Sequence, residues 1–355
     1  MIAIEDASTE PRFQRYPDLA ARRLGTRALA ASDEFFAPKE NLLLETRPAF
    51  EADRYTERGK WMDGWETRRR RGPGHDWVVI RLGAPGVVHG VNVDTSHFRG
   101  NHPERASVEA CEVAAGNAEA GGTEIAGFDG WPWTTIVPEL PLAPGAGNFF
   151  PARERRRWTH VRLNIFPDGG VARFRVHGIG VPVVEDAEID LAAIASGGVV
   201  LAWSDARFGA PHSLLLPDRP PHMGDGWETR RRRGPGHDWV VVRLGRRGVL
   251  RCAAIDTTHF KGNHPESFRL EALDDEGAFG DAIRGLELPP GDHAAWREVL
   301  PRTPLGADAR HEFEVRETVS ATHVRLSIYP DGGVARLRIY GEPAPPREVE
   351  EVGSD

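Results

Sequence analysis

Residues 63–83 read DGWETRRRRGPGHDWVVIRLG, and residues 225–245 repeat them with 20 of 21 positions identical. Two more blocks recur in the same order, at spacings of 162 and 163 residues. They are VDTSHFRGNHPE at 93–104, which returns as IDTTHFKGNHPE at 255–266, and THVRLNIFPDGGVARFRVHG at 159–178, which returns as THVRLSIYPDGGVARLRIYG at 322–341. Self-similarity at one nearly constant spacing indicates that the chain is a tandem duplication of a single unit.

The duplication predicts how the 355 residues are organised. At about 150 residues per domain, a chain of this length is expected to hold two domains, which suits two copies of one unit. The first copy carries ten more residues than the second near positions 45–62, where we predict a longer loop. The predicted segments are an N-terminal extension at 1–17, a first repeat at 18–180, a linker at 181–189, a second repeat at 190–343 and an acidic tail at 344–355.

The periodicity within a repeat is that of β-strands. Apolar residues are alternate or nearly continuous over Asp76–Leu82, and again over Val161–Ile165. The turn residues Pro167–Gly170 separate two such runs within 161–178, which predicts a hairpin there. The chain also holds 39 Gly and 28 Pro, which suits many short strands joined by tight turns. We therefore predict an all-β fold: a tandem duplication of two antiparallel jelly-roll β-sandwiches.

Composition excludes several classes of partner. With 45 basic and 53 acidic side chains the net charge is −8, whereas nucleic-acid and anionic-membrane binders need a basic face. Neither an apolar run of about 20 residues nor a signal peptide is present, so we expect a cytoplasmic protein. The two cysteines, Cys111 and Cys252, are not at matching repeat positions, which argues against a disulfide framework.

The arginine run is the first candidate for chemistry. In an extended run, Arg68 and Arg70 face one way while Arg69 and Arg71 face the other, so one pair can enter a pocket. A guanidinium fork matches a carboxylate or a ureido oxygen, which favours a small anionic substrate. The alternative is a solvated edge that blocks sheet-to-sheet pairing. The candidate binding residues are Glu66, Arg68, Arg70, Glu228, Arg230 and Arg232.

The second candidate is the segment that follows the strand ending near Val93. A carboxylate, two imidazoles, an amide and a second carboxylate fall within the eleven residues 94–104, enough for acid and base roles. The alternative is structural: Asp94 and Asn101 would bond the turn backbone while the histidines fill space. We assign proton transfer to Asp94, His97, Glu104, Asp256, His259 and Glu266, and substrate binding to Asn101 and Asn263.

Metal and cofactor signatures are weak. His97 and His102 could share one ion, but the sequence has no His-Glu-x-x-His or Cys-x-x-Cys pattern, and no G-x-S-x-G, P-loop or dinucleotide motif. We therefore expect no cofactor and no metal. A third set, Arg173 and Arg175 with their copies Arg336 and Arg338, is expected on the outward face of a strand, paired with acidic neighbours.

Together the DGWETRRRR block, the D-T-[ST]-H-F-[RK]-G-N motif and the THVRL block resemble the allantoicase family over about residues 18–343. The resemblance implies a galactose-binding-like jelly roll for each repeat. It also implies hydrolysis of allantoate to ureidoglycolate and urea in purine (allantoin) degradation. The pairs His102-Pro103 and His264-Pro265 depart from the family pattern, so the resemblance supports His97 and His259 more than His102 and His264.

The implied reaction indicates what the residues must do. Releasing intact urea requires breaking the bond between the central carbon and a ureido nitrogen, since attack on the ureido carbonyl would give ammonia and carbonate. Arginines would fix the carboxylate, a protonated His or carboxylic acid would assist urea departure, and a carboxylate or imidazole would direct water.

The sequence leaves two alternatives open, one about the number of sites and one about the function. Identical polar sets in both copies fit either two equivalent sites per chain or one composite site across a pseudo-twofold axis. A non-catalytic carbohydrate- or ligand-binding tandem β-sandwich is the alternative function, because a fold does not determine an activity. As partners we expect a small-molecule substrate and further copies of the chain in a homo-oligomer, with no nucleic acid and no membrane.

Overall fold

The chain folds into two units, Met1–Pro182 and Val183–Asp355. The structure is a computed structural model that describes residues 11–114, 127–182, 188–279 and 296–345. Both units are built from antiparallel strands, and in these described ranges helix is limited to short 3-10 turns. The 3-10 turns are Arg12–Arg15, Arg22–Leu24, Lys39–Leu43, Ile194–Ser196, Pro211–Leu215 and Met223–Asp225.

The strands of the first unit are β1 (Arg27–Ala31), β2 (Tyr55–Thr56), β3 (Gly59–Lys60), β4 (Trp65–Glu66), β5 (Asp76–Asp94), β6 (Arg105–Cys111), β7 (Thr134–Pro141), β8 (Gly147–Pro151), β9 (Arg157–Phe166), β10 (Gly170–Val171) and β11 (Arg173–Gly180). Those of the second unit are β12 (Ile189–Asp190), β13 (Val199–Trp203), β14 (Trp227–Glu228), β15 (Asp238–Asp256), β16 (Ser267–Leu273), β17 (Arg297–Pro304), β18 (Arg310–Glu314), β19 (Ser320–Tyr329), β20 (Gly333–Val334) and β21 (Arg336–Pro343).

Strand β5 serves both layers of the first sandwich. Its first part, Asp76–Arg81, pairs with β1 and β9, and β9 continues through β6 to β7. Its last part, Gly90–Asp94, pairs with β8 on one side and β11 on the other. The register shifts between Arg81 and Gly86, where the strand passes from one layer to the other. A Cβ at Gly86 would lie 2.1 Å from Ile179 O, so only glycine fits this close approach.

The second unit repeats this arrangement. Strand β15 pairs with β13 and β19 along its first part and with β18 and β21 along its last part. Alternate side chains of both long strands are buried, as expected for strands that cover a core with one face. The predicted all-β fold, two antiparallel jelly-roll β-sandwiches in tandem, is confirmed.

The hairpin predicted over 161–178 is wrong. Strands β9 and β11 both pair with β5 and not with each other, so the turn between them carries the chain from one layer to the other. The chain does turn at 167–170, but the 19-residue β5 pairs with β9 in one layer and with β11 in the other. Within the turn, β10 pairs with β4, which places Gly170 opposite Glu66.

The expectation that Arg173 and Arg336 face outward is also wrong, since each is 2% exposed. Arg173 Nε donates to Thr46 O at 3.0 Å, and its Nη2 donates to Asp63 Oδ2 at 2.8 Å. Arg336 makes the same contacts in the second unit, with Nη2 donating to Asp225 Oδ2 at 2.7 Å. Each arginine therefore ties the loop that precedes β4 or β14 to the sheet.

No helix in the described ranges is both long enough and apolar enough to cross a bilayer.

Candidate active site

Glu66 and its copy Glu228 lie at the centre of the site in each unit. The two-residue strand β4 holds Glu66 between Ala37 and Gly170 by backbone pairing. Asn101 Nδ2 donates to Glu66 Oε1 at 2.7 Å, and the copies Asn263 and Glu228 make the same bond at 2.7 Å. Burial raises the pKa of the Glu66 carboxyl, although the Asn101 hydrogen bond works against that rise.

Each Glu–Asn pair lines an open pocket in its own unit. The pocket of the first unit measures about 770 Å³, and its walls come from the segment before β4, the arginine run, the 100–104 turn and the 167–169 turn. The pocket of the second unit measures about 470 Å³ and is built from the corresponding segments. The charged, amide and imidazole members found in both are the pairs Glu66/Glu228, Arg69/Arg231, Asn101/Asn263, His102/His264, Glu104/Glu266 and Asp168/Asp331.

The arginine run divides by alternation, as predicted, but the pair left without a partner differs from the one chosen on sequence. Arg70 Nη2 pairs with the buried Asp76, and the backbone N–H of Arg70 donates to Asp168 Oδ2 at 2.8 Å. Arg232 repeats the ion pair with Asp238. Because Nη2 of each guanidinium group is paired with a carboxylate, Arg70 and Arg232 hold the loop, and a ligand at this group would compete with Asp76 or Asp238.

Arg68 is paired with a carboxylate but remains exposed to solvent. Its Nε pairs with Asp33 Oδ2 at 2.6 Å, yet its side chain is 65% exposed at the wall of the pocket. Arg230 makes the matching pair with Asp205 at 3.3 Å. Arg69 and Arg71 also line the first pocket, and within the described part of the chain neither has an ion-pair or hydrogen-bond partner. Free cationic charge at this pocket therefore comes mainly from Arg69 and Arg71.

His97 and His259 fasten a loop and are not brought into the two pockets. His97 Nε2 bonds Pro48 O at 3.1 Å, and His259 Nε2 bonds Pro220 O at 2.9 Å. Both residues have a left-handed backbone, with φ of 69° and 72°. His97 also stacks on Phe50, with ring centroids 5.8 Å apart, and lines an adjoining hollow of about 410 Å³ to which Glu66 and Asn101 also contribute.

Asp94 and Asp256 cap their turns. Asp94 Oδ1 accepts the Ser96 N–H at 2.8 Å, and Asp256 Oδ1 accepts the Thr258 N–H at the same distance. This is the Asx geometry of the structural alternative. Neither carboxylate lines the Glu66 or Glu228 pocket, and Asp256 borders a separate hollow of about 490 Å³ with Arg310.

The histidines that sequence reasoning set aside lie in the pockets. His102 and His264 follow the pocket asparagines, and in each ring Nδ1 is buried with no hydrogen-bond partner among the described residues. Duplication does not single them out, because His97 and His259 are repeated in the same block. Within the described ranges no group of three or more His, Cys, Asp or Glu side chains is arranged to hold a metal ion.

These features define a class of protein: a tandem β-sandwich with one acidic, arginine-lined pocket in each repeat, suited to a small polar anion. The family model "Allantoicase repeat" matches residues 17–181 and 189–344. A probable allantoicase of Pseudomonas aeruginosa (strain UCBPP-PA14) is 45% identical over 340 residues, 94% of this chain and 98% of that protein. One from Rhizobium meliloti (strain 1021) is 46% identical over 336 residues, 93% and 95% of the two chains.

The crystal structure of allantoicase from Saccharomyces cerevisiae superimposes with a TM-score of 0.75 at 35% identity, covering 92% of each chain. The family model and these relatives span nearly the whole chain and both repeats. The chain belongs to the allantoicase family.

Proposed function

We propose that the protein is a hydrolase that converts allantoate and water to ureidoglycolate and urea. The observation that carries the proposal is the pocket itself: a chain of the allantoicase family builds the same carboxyl, amide, imidazole and guanidinium set in both repeats. A complete set in each unit favours two sites per chain over one composite site. Family membership favours the hydrolase over a non-catalytic carbohydrate-binding protein.

Arg69 and Arg231 hold the substrate carboxylate, with Arg68 and Arg230 beside them. The guanidinium group of Arg69 is exposed at the pocket wall and has no competing carboxylate in the described part of the chain. A guanidinium fork binds a carboxylate through two parallel hydrogen bonds, so it fixes both the position and the orientation of a small anion.

The reaction is written as two steps at the central carbon. In the first, the nitrogen of one ureido arm loses its proton and forms a C=N bond, while the other arm leaves as urea with a proton from an acid. In the second, water adds to that carbon: its oxygen forms the C–O bond and keeps one hydrogen as the product hydroxyl, its other proton restores the acid, and the base returns its proton to the nitrogen. One acid and one base therefore suffice, and both end in their starting states.

Glu66 is the proposed acid, and Glu104 the proposed base. Burial raises the pKa of Glu66, which favours a protonated carboxyl that can donate, whereas Glu104 is exposed at the same pocket. Two carboxyl groups in unlike environments are suited to opposite roles. His102 lies between them in the sequence and is proposed to contact the departing urea.

The protein is proposed to be cytoplasmic and to form a homo-oligomer. Both cysteines are free thiols, which suits the reducing cytoplasm. Large apolar side chains are exposed around the pockets, among them Phe36 and Phe208, and support a homo-oligomer.

The activity is tested by incubating the purified chain with allantoate and measuring urea and ammonia separately. We expect urea and ureidoglycolate in equal amounts, without ammonia, because the bond at the central carbon is the one that breaks. Galactose and fucose are the control ligands in a binding measurement. Sugar binding without urea release would establish the alternative function instead.

A further inference from the structure

The two pockets differ in the state of one carboxylate. Glu104 and Glu266 are held alike by the backbone: the N–H of Glu104 donates to Phe166 O at 3.0 Å, and that of Glu266 donates to Tyr329 O at 2.9 Å. Each lines the pocket of its own unit. Any difference between the two carboxylates therefore comes from the side chains around them.

The two carboxylates differ in their side-chain hydrogen-bond partners. Glu266 Oε2 accepts hydrogen bonds from Arg302 Nη2 at 2.6 Å and from Ser267 Oγ at 3.0 Å. Within the described ranges, the side chain of Glu104 makes no hydrogen bond and no ion pair. The first pocket thus contains a free carboxylate, and the second contains one occupied by a cation and a hydroxyl group.

An exchange of two residues explains the contrast. Strand register places Arg105 opposite Pro141 in the first unit and Ser267 opposite Pro304 in the second, so Arg105 matches Ser267, and Glu139 matches Arg302. In the first unit Arg105 and Glu139 pair with each other across the strands. In the second unit Ser267 replaces the arginine and Arg302 replaces the glutamate. Arg302 therefore pairs with the pocket carboxylate of Glu266.

Arg302 is fixed in this position. Its Nε donates to Ser267 Oγ at 2.8 Å, and its guanidinium carbon lies 4.4 Å from the centre of the Tyr329 ring. The Arg302 and Ser267 hydrogen bonds lower the pKa of Glu266. A carboxylate with a lowered pKa and an occupied oxygen is a poorer proton acceptor.

The second pocket nevertheless keeps the groups that would hold a substrate. Glu228 and Asn263 are bonded as in the first unit, and Arg231 lines the wall. The second pocket is also smaller, at about 470 Å³ against about 770 Å³. The second pocket therefore keeps the residues that would bind substrate, while Glu266, the counterpart of the proposed base, is paired with Arg302.

We propose that the two repeats divide the work: the pocket of the first repeat turns the ureido-carboxylate substrate over, while that of the second repeat binds the same substrate and turns it over far more slowly. The proposal rests on the proposed function, because it assigns unequal roles to two copies of that site.

Matched single substitutions test the division. Removing the base from the active pocket in Glu104→Gln should lower kcat for urea release by about 10²-fold, in the range of general-base contributions. The same change in the second pocket, Glu266→Gln, should lower kcat at least about tenfold less than Glu104→Gln does, since the second pocket carries the smaller share of turnover. Equal losses in the two variants, or a larger loss in Glu266→Gln, would overturn the proposal.

Exchanging the neighbouring pair gives a second test that leaves the carboxylates in place. Arg105→Ser/Glu139→Arg brings the second-repeat environment to Glu104 and should lower kcat at least about tenfold. Ser267→Arg/Arg302→Glu frees Glu266 and, added to Glu104→Gln, should restore at least about tenfold of the lost kcat. No recovery in this triple variant would contradict the assigned cause.

Binding completes the test. Calorimetric titration of Glu104→Gln with allantoate should give two equivalents per chain, and one equivalent would refute binding in the second repeat. Absence of urea release from the unaltered chain would refute the proposed function itself. Release with equal Glu104→Gln and Glu266→Gln effects would refute only the division between repeats.

Discussion

Arg173→Met should destabilise the first unit by about 3–5 kcal/mol, the usual cost of removing one partner from a buried ion pair. The Arg173 guanidinium group lies within hydrogen-bond distance of Asp63 Oδ2 and of the carbonyl oxygens of Thr46 and Asp63. Methionine would leave the two carbonyl oxygens without this donor and Asp63 Oδ2 with only the Ala49 N–H, in a site where Arg173 is only 2% exposed. The expected readout is a lower guanidinium chloride midpoint for the unit that contains residue 173.

The matched variants are Arg336→Met and Arg69→Met. Arg336 has the same contacts in the second unit, so its loss should destabilise that unit to a similar extent. Arg69 is exposed, and its replacement should change stability by less than about 0.5 kcal/mol. An Arg173→Met midpoint equal to that of Arg69→Met would contradict the assigned role of the buried arginine.

Glu66→Gln/Glu228→Gln should lower kcat for urea release by about 10²–10⁴-fold. Glutamine can still accept the Asn101 hydrogen bond through its own Oε1, so the fold is retained while the transferable proton is lost. Steady-state rates of urea release measure the effect. The control is Glu112→Gln, an exposed glutamate paired with Arg157, which should keep full activity.

The assignment of Glu66 as the acid also predicts how activity changes with pH. The protonated form of Glu66 is the active one, so activity falls as pH rises through its pKa, and burial moves that fall above the range of an ordinary glutamate. The double glutamine variant should lose this dependence, since glutamine does not titrate. A variant that keeps both the wild-type kcat and the wild-type alkaline fall would exclude Glu66 and Glu228 as acids.

Much of the fold could be predicted from sequence. The repeated blocks predicted two similar units. The alternation in segments such as Asp76–Leu82 predicted strands, because alternation is a local pattern along the chain. The partner of a strand is not local. The turn at 167–170 resembles a hairpin turn, and only the long β5 and its two layers show that β9 and β11 separate.

The structure brings residues of the predicted segments together, but not every residue chosen on sequence lines the Glu66 or Glu228 pocket. Alternation predicted two arginine pairs, but which side chains are paired depends on Asp76 for Arg70 and on Asp33 for Arg68, the latter 35 residues distant in sequence. The choice between His97 and His102 likewise depends on long-range contacts, since the ring of His97 is bonded to Pro48. Glu66 with Asn101 was correctly placed in one group, because both belong to duplicated motifs.

The most direct test of the site is a crystal structure of Glu66→Gln/Glu228→Gln with allantoate bound. We expect substrate in the pocket of each repeat. Its carboxylate should make hydrogen bonds with Arg69 or Arg231, and one ureido arm should lie beside residue 66 or 228. Substrate bound elsewhere, such as in the hollow beside Asp256 and Arg310, with both pockets empty, would contradict this expectation.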